Sequence, residues 1–180
     1  MHRRGFVLTG LAGLAALTLP GCGYSLSGRG SFLPASIKVI AVPLFTNTTS
    51  LYEVEQRVTD RVRAELIGRG RWDVKPELEG ADAVLTGQIT GVTLVPAAFN
   101  DQQQATRIVL TLVARVELRD VKANKVIWAN PGMQFSEQYD VSNTSSAADP
   151  NAFLRNDVNA LDRLASEFAR AIVSAMLEAF

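Results

Sequence analysis

Cysteine and histidine are almost missing from this chain. Its 180 residues contain one cysteine, Cys22, and one histidine, His2. Because both lie near the N-terminus, disulfide frameworks, metal sites built from Cys and His, and catalysis by either side chain are almost excluded for the body of the protein. The remaining carboxylates form no recognisable catalytic pair. We therefore expect no metal, no other cofactor and no enzymatic activity.

An excess of charge of one sign is missing as well. The chain has 18 Lys and Arg against 18 Asp and Glu, and no block of like charge. A protein that follows the nucleic-acid backbone needs a concentrated basic face, so we expect no nucleic-acid partner. Apolar residues make up 47% of the chain and charged residues 20%, which is typical of a globular domain with a real core.

The N-terminus has the pattern of an export signal. A basic head is followed by 15 residues without charge, Gly5–Leu19. That run is too short to span a bilayer, which takes ~20 apolar residues, but it suits a signal peptide. Leu19-Pro20-Gly21-Cys22 then resembles the lipobox of bacterial lipoproteins. The resemblance implies a signal peptide over 1–21, a diacylglycerol on Cys22, and outer-membrane sorting because Gly23 is not Asp.

Two alternatives for this segment stay open. One is a plain signal peptide with an incidental cysteine. The other is twin-arginine export through Arg3 and Arg4 instead of the general secretory route. If Cys22 is acylated, each buried CH₂ contributes ~0.8 kcal/mol, and two or three chains anchor the protein without a spanning helix.

The rest of the chain predicts one domain over residues 37–180, reached through a Gly/Ser-rich tether over 22–36. Apolar residues at helical spacing predict two helices. The first stripe is Leu51, Val54, Val58, Val62 and Leu66, with a capping box at Ser50–Glu53 and an end at Gly68 and Gly70. The second stripe is Leu161, Leu164, Phe168, Ile172 and Met176, with Asp149-Pro150 at its start.

Strands are predicted at Ile37–Val42, Trp72–Leu78 and Ala83–Val95, the last with glycines that mark a bulge or a close approach, Gly87 and Gly91. A polar loop over 96–106 follows. Strict alternation then predicts a strand over Arg107–Arg119 that buries Ile108, Leu110, Leu112, Ala114, Val116 and Leu118. Its partner runs over 126–139, with a break at Asn130–Gly132.

These elements predict an α+β fold, specifically a two-layer sandwich. Its sheet is small, mixed or antiparallel and of about four strands, and both helices cover one face.

Three stretches together resemble the LPS-assembly lipoprotein family (LptE). They are Cys22-Gly23-Tyr24 leading to Ile37–Pro43 with Asn47, then Ala81–Gly87, then Leu118–Asp120 through Lys125–Trp128. The resemblance implies a sheet with two helices on one face. It also implies an outer-membrane lipoprotein, anchored on the periplasmic side, that plugs and helps assemble an LptD-type β-barrel translocon for lipopolysaccharide. Lipopolysaccharide itself is then a further candidate partner.

Arg107, Arg115 and Arg119 share the less apolar side of the alternating strand, so they are candidates for a barrel contact or an anionic ligand. Solvent-exposed strand residues that pair with Glu117 or with neighbouring strands are the alternative. The aromatic residues Trp72, Trp128, Phe135 and Tyr139 are interpreted as core or cross-strand pairs. A different functional class also stays open, in which the lipoprotein binds and activates a periplasmic enzyme or forms part of a secretion pore.

Overall fold

A computed structural model describes residues 33–140 and 158–179. The predicted signal peptide, Cys22 and the predicted cap at Asp149-Pro150 lie outside the described residues. The elements in chain order are β1 (Val39–Ala41), β2 (Thr46–Asn47), α1 (Val54–Gly68), β3 (Asp73–Lys75), β4 (Ala83–Phe99), β5 (Ala105–Asp120), β6 (Lys125–Asp140) and α2 (Val158–Glu178).

The strands form one mixed sheet in the order β3-β1-β4-β5-β6, and β2 pairs with β4 beyond β1. The strands β1, β2 and β3 are parallel to their partners, whereas β4, β5 and β6 are antiparallel. The α+β prediction is confirmed, but the sheet has six strands and not about four. Three of the six contain only two or three residues. Such short strands carry too few alternations for a pattern to show them.

Both helices pack on one face of this sheet, as predicted. The predicted apolar side of β5 is buried in the same core as the two helical stripes, and every one of its six residues is fully inaccessible to solvent. The two helices also pack against each other. The core therefore lies between one helical layer and one face of the sheet, and the other face of the long strands stays uncovered by α1 and α2.

The apolar stripe of α1 is confirmed, but the predicted capping box is wrong. The helix begins at Val54, and Glu53 at its N-cap has a φ of 64° and makes no capping hydrogen bond through its side chain. Asn47 fixes the preceding turn instead. Its Nδ2 donates to the carbonyl of Leu51 at 2.7 Å and to Oε2 of Glu55 at 2.8 Å. Its Oδ1 accepts the amide of Thr49 at 2.8 Å.

The long strands run further than predicted. The strand β4 continues through Phe99 and β5 begins at Ala105, so the polar loop is shorter than the predicted 96–106. The predicted break at Asn130–Gly132 is a bulge inside a continuous β6. Ala114 pairs with Met133 and Val116 pairs with Asn130, so the register shifts between these two pairs. A second bulge precedes Gly91 in β4.

Candidate interaction site

The face of β4, β5 and β6 that points away from the helices is the open face. Its outer half holds three paired rows without a charged side chain, which we call the uncharged band: Gly91-Val113-Gln134, Thr93-Thr111-Ser136 and Val95-Val109-Gln138. Strand β2 pairs with β4 only as far as Ile89. The band thus lies on a three-stranded extension of the sheet.

The side chains of the uncharged band are β-branched, hydroxyl or amide groups. The hydroxyls of Thr111 and Ser136 lie 2.8 Å apart and bond across the strands. Val95 is 57% exposed, which is high for an apolar side chain in a sheet. Such a surface can pack against another polypeptide and offer it hydrogen bonds.

The three candidate arginines lie on this open face at separate levels of β5. Arg107 borders the outer edge of the band, where its Nε donates to Oδ1 of Asp140 at 2.9 Å. Arg119 lies at the other end of the strand and pairs with Glu117 at 2.8 Å. Arg115 is eight positions further along the strand than Arg107, which is ~27 Å at the rise of a strand. The three guanidinium groups therefore do not converge on one small ligand.

Arg115 differs from the other two. It is exposed, it stands opposite Gln88 of β4, and within residues 33–140 and 158–179 its side chain forms no hydrogen bond or ion pair. The bulge in β6 lies beside it. Arg115 thus presents a free guanidinium at the inner edge of the uncharged band.

The hairpin tip beyond the band carries no basic residue. Asn100 closes it: its Oδ1 accepts the amides of Gln102 at 3.0 Å and Gln104 at 2.8 Å. Gln103 has a φ of 58° in the same turn. Asp101 is the charged residue of the loop, so the tip offers amides rather than cations.

The four aromatic residues pack as predicted, in or against the core. Trp72 and Trp128 are partly buried against it. The rings of Phe135 and Phe168 lie 6.4 Å apart. Tyr139 is buried, and its hydroxyl donates to the carbonyl of Ala160 at 3.1 Å, which ties β6 to α2.

Asp82 holds the beginning of the sheet together, a role that the sequence analysis missed. Its Oδ2 accepts the amides of Lys38 and Val39, each at 3.0 Å, and its Oδ1 lies 2.6 Å from Nζ of Lys122. The hydrogen bond from Lys122 and those two amides lower the pKa of Asp82 far below its ordinary value. These partners are about 40 residues away in both directions. No local pattern marks such a contact.

Asp82→Asn should lower the melting temperature at neutral pH and flatten its decline in acid. The folded-state pKa of Asp82 is depressed, so its contribution is present above the unfolded-chain pKa of about 3.9 and is lost as the pH falls below it. Melting curves between about pH 7 and about pH 2 test this. Asp101→Asn at the exposed tip is the matched control and should leave the profile unchanged. An Asp82→Asn profile parallel to that of the parent would contradict the assignment.

A second ionic cluster joins the two helices. Asp162 of α2 accepts from Arg57 at 3.0 Å and from Arg61 at 2.9 Å, both on α1. The hydrogen bond from Arg57, followed by that from Arg61, lowers the pKa of Asp162. The carboxylate already has two partners, and its side chain is 39% exposed. This cluster orients the helices and is not a free anion site.

Neither a metal centre nor a membrane helix is found in the described parts of the chain. Across 33–140 and 158–179, no three His, Cys, Asp or Glu side chains are grouped closely enough to hold a metal ion. The helices described there are also not long and apolar enough to cross a bilayer.

Comparison with solved structures shows the same fold in a hypothetical protein from Chlamydia trachomatis. That structure gives a TM-score of 0.51 at 12% identity and covers 78% of this chain and 96% of its own. The PelC dodecamer from Paraburkholderia phytofirmans gives 0.48 at 16% identity, over 75% and 88%. Rare lipoprotein B from Shewanella oneidensis gives 0.45 at 13% identity, over 77% and 96%.

The sequence comparison is more specific than the structural one. No curated protein matches the chain significantly in sequence. However, the family model described as "LptE: Lipopolysaccharide-assembly" matches residues 37–176, which is most of the chain. The match includes every described strand, all of α1, and α2 except its last two residues. The chain therefore belongs to the LptE family of lipopolysaccharide-assembly lipoproteins.

Proposed function

We propose that this protein is the lipoprotein subunit of an outer-membrane lipopolysaccharide translocon, held on the periplasmic side by a lipid on Cys22. It plugs an LptD-type β-barrel and helps it to assemble. It acts by contact and performs no reaction. The family match supports the role in lipopolysaccharide assembly. The observation that carries the barrel contact is the open face, where the partly exposed uncharged band adjoins Arg115, which has no partner among the described residues.

The open face suits the inner wall of a barrel in its chemistry. Along each strand of a membrane barrel, apolar side chains that face the lipid alternate with polar side chains that face the lumen. A partner inside the lumen therefore needs hydrogen-bonding groups, and it should carry few charges because each buried charge must be desolvated. The hydroxyl and amide groups of the band meet that need, and its valines add apolar contact. Arg115 can pair with a carboxylate of the wall, because it has no partner of its own among the described residues.

Capture of the protein from outer membranes tests the proposal. The chain carries a C-terminal tag, the membranes are solubilised in mild detergent, and co-purifying proteins are identified. We expect a heat-modifiable β-barrel of LptD type in stoichiometric amount. Recovery of a periplasmic enzyme, of a secretion-pore protein or of no partner would overturn the barrel assignment.

Arg115→Glu should lower the amount of barrel that co-purifies. The substitution reverses a charge on an exposed side chain that no described residue holds, so the melting temperature should change little. Lys75→Glu is the matched control, because Lys75 lies on β3 at the opposite edge of the sheet. We expect barrel recovery to fall with Arg115→Glu and to stay at the parental level with Lys75→Glu. Equal recovery with both variants would place the contact elsewhere.

Cys22→Ala should remove the protein from the membrane fraction and abolish labelling by radioactive palmitate. The folded domain should keep its melting temperature, since the core that the described residues build runs from Leu33 onward. Fractionation and palmitate labelling of parent and variant measure the two effects separately. A parent protein that takes up no palmitate, or a variant that still does, would contradict lipidation at Cys22.

A further inference from the structure

A groove of about 330 Å³ opens beside Leu33, where the described part of the chain begins. Its apolar lining comes from Leu33, Pro34, Ile37 and Trp72, and its basic lining from Lys38 and Arg71. Among the described residues, no acidic side chain lines it. The groove thus combines an apolar wall with two cations, a pattern that differs from the uncharged band on the open face.

The pairing of β1 with β3 builds this groove. The amide of Asp73 donates to the carbonyl of Lys38 at 2.9 Å, which brings the beginnings of the two parallel strands together. Two residues further on, Ile40 and Val74 pack in or against the core below the helices. Because side chains two apart share a face of a strand, Lys38 and Trp72 lie at the helix-covered side of the sheet edge. Trp72 also packs against that core.

The two cations of the groove are not neutralised by their neighbours. Across the described ranges, the side chains of Lys38 and Arg71 make no ion pair. The acids close by are engaged elsewhere: Asp73 faces Lys75 at 3.9 Å, and Asp82 holds Lys122 together with the strand amides. Lys38 and Arg71 are both exposed. An anion that enters the groove therefore meets two free cations beside an indole ring.

We propose that this groove binds the head group of an anionic glycerophospholipid. The phosphate would lie between Lys38 and Arg71, and the glycerol and upper acyl carbons would lie against Trp72 and Ile37. This inference rests on the proposed anchor. Cys22 and Leu33 are 11 residues apart, and an extended chain rises at most ~3.6 Å per residue, so a lipid on Cys22 keeps the groove within ~40 Å of the bilayer. The bilayer that holds the anchor is thus the source of the phospholipid.

Trp72 itself supplies the readout. The chain has two tryptophans, so Trp128→Phe leaves Trp72 as the single emitter. This variant of the purified protein is reconstituted into nanodiscs of phosphatidylcholine with increasing fractions of phosphatidylglycerol, and either lipid carries brominated acyl chains that quench indole fluorescence. We expect strong quenching by brominated phosphatidylglycerol and little by brominated phosphatidylcholine at the same fraction.

Charge removal at the groove should weaken the binding. A basic residue near an anionic bilayer contributes about fivefold, so Lys38→Gln/Arg71→Gln should need a roughly 25-fold higher lipid fraction for half-maximal quenching. Lys125→Gln/Arg170→Gln removes the same charge on β6 and α2, and it should leave the midpoint unchanged. Equal quenching by the two lipids, or an unchanged midpoint in the groove variant, would overturn the proposal.

Two further measurements distinguish lipid binding from phosphate binding, and failure of the groove from failure of the anchor. Inorganic phosphate added to the phosphatidylcholine discs should leave the Trp72 emission unchanged, and a response to phosphate alone would show an ion site and overturn the lipid assignment. Protein that elutes apart from the discs would show failure of the anchor. Protein that elutes with them but is not quenched would show failure of the groove.

Discussion

Leu112→Asp is expected to leave the protein largely unfolded. Leu112 lies in the middle of the sheet, paired with Val92 on one side and Phe135 on the other, and it is fully buried below the helices. Loss of a buried leucine side chain costs about 2–5 kcal/mol, and an unpaired buried charge adds about 3–5 kcal/mol. That sum is comparable to the whole free energy of unfolding of a typical domain, about 5–15 kcal/mol. Urea unfolding followed by circular dichroism measures the loss.

Val113→Asp provides the matched control for this test. Val113 is the next residue along β5, but its side chain lies on the open face and is only half-buried. The new carboxylate stays in contact with water there. We therefore expect the free energy of unfolding to fall by about 1 kcal/mol, which is the range over which strand propensities vary. If the two aspartates cost the same, the assignment of the two faces of β5 would be wrong.

The faces of β5 could be predicted because the signal is local and long. Six apolar residues in strict alternation leave one orientation that buries them all, and a slip by one residue would expose the whole set. The buried side of α1 could be predicted equally well, since five apolar residues at steps of three or four define one side of a helix. Residues of this kind carry the core of the fold, and the structure buries them as predicted.

The parts that could not be predicted depend on contacts between distant residues. Nothing near Asp82 in the sequence indicates that it accepts the amides at the beginning of β1, and nothing near Asp162 points to two arginines of α1. The capping box failed for a different reason, because a competing contact is local. Ser50 and Glu53 have the right spacing, but Asn47 binds the carbonyl of Leu51 and fixes a different turn.

The sequence predicted the face on which the three candidate arginines lie, but not which of them have partners. Alternation along β5 already placed Arg107, Arg115 and Arg119 on one side. It could not show that Arg107 and Arg119 are paired while Arg115 is free, because those pairings depend on the register with β6 and on local geometry. The uncharged band could not be predicted either, because it also depends on the strand register. Its rows exist only once three strands are aligned.

Gly87→Ala is the second substitution with a large expected effect. A Cβ at position 87 would overlap the ring of Phe45. That ring is almost fully buried, and the amide of Phe45 donates to Oγ1 of Thr59 at 3.0 Å, which holds its backbone against α1. The ring can therefore give way only by displacing the core residues around it. Overpacking of this kind costs about 1–3 kcal/mol, which denaturant unfolding can measure.

A double-mutant cycle with Phe45→Leu distinguishes this steric cause from a general loss of backbone freedom. The smaller side chain removes the ring that the new methyl group would meet, so Gly87→Ala/Phe45→Leu should be more stable than the two single effects predict, by about 0.5–3 kcal/mol of coupling. Gly132→Ala is the control at a site where a Cβ meets no atom within 4 Å, and it should be nearly neutral. Strict additivity in the cycle would show that Phe45 is not the reason for a glycine in this strand. A positive coupling would show that the close approach predicted from the glycines of β4 is made by an aromatic ring of the core.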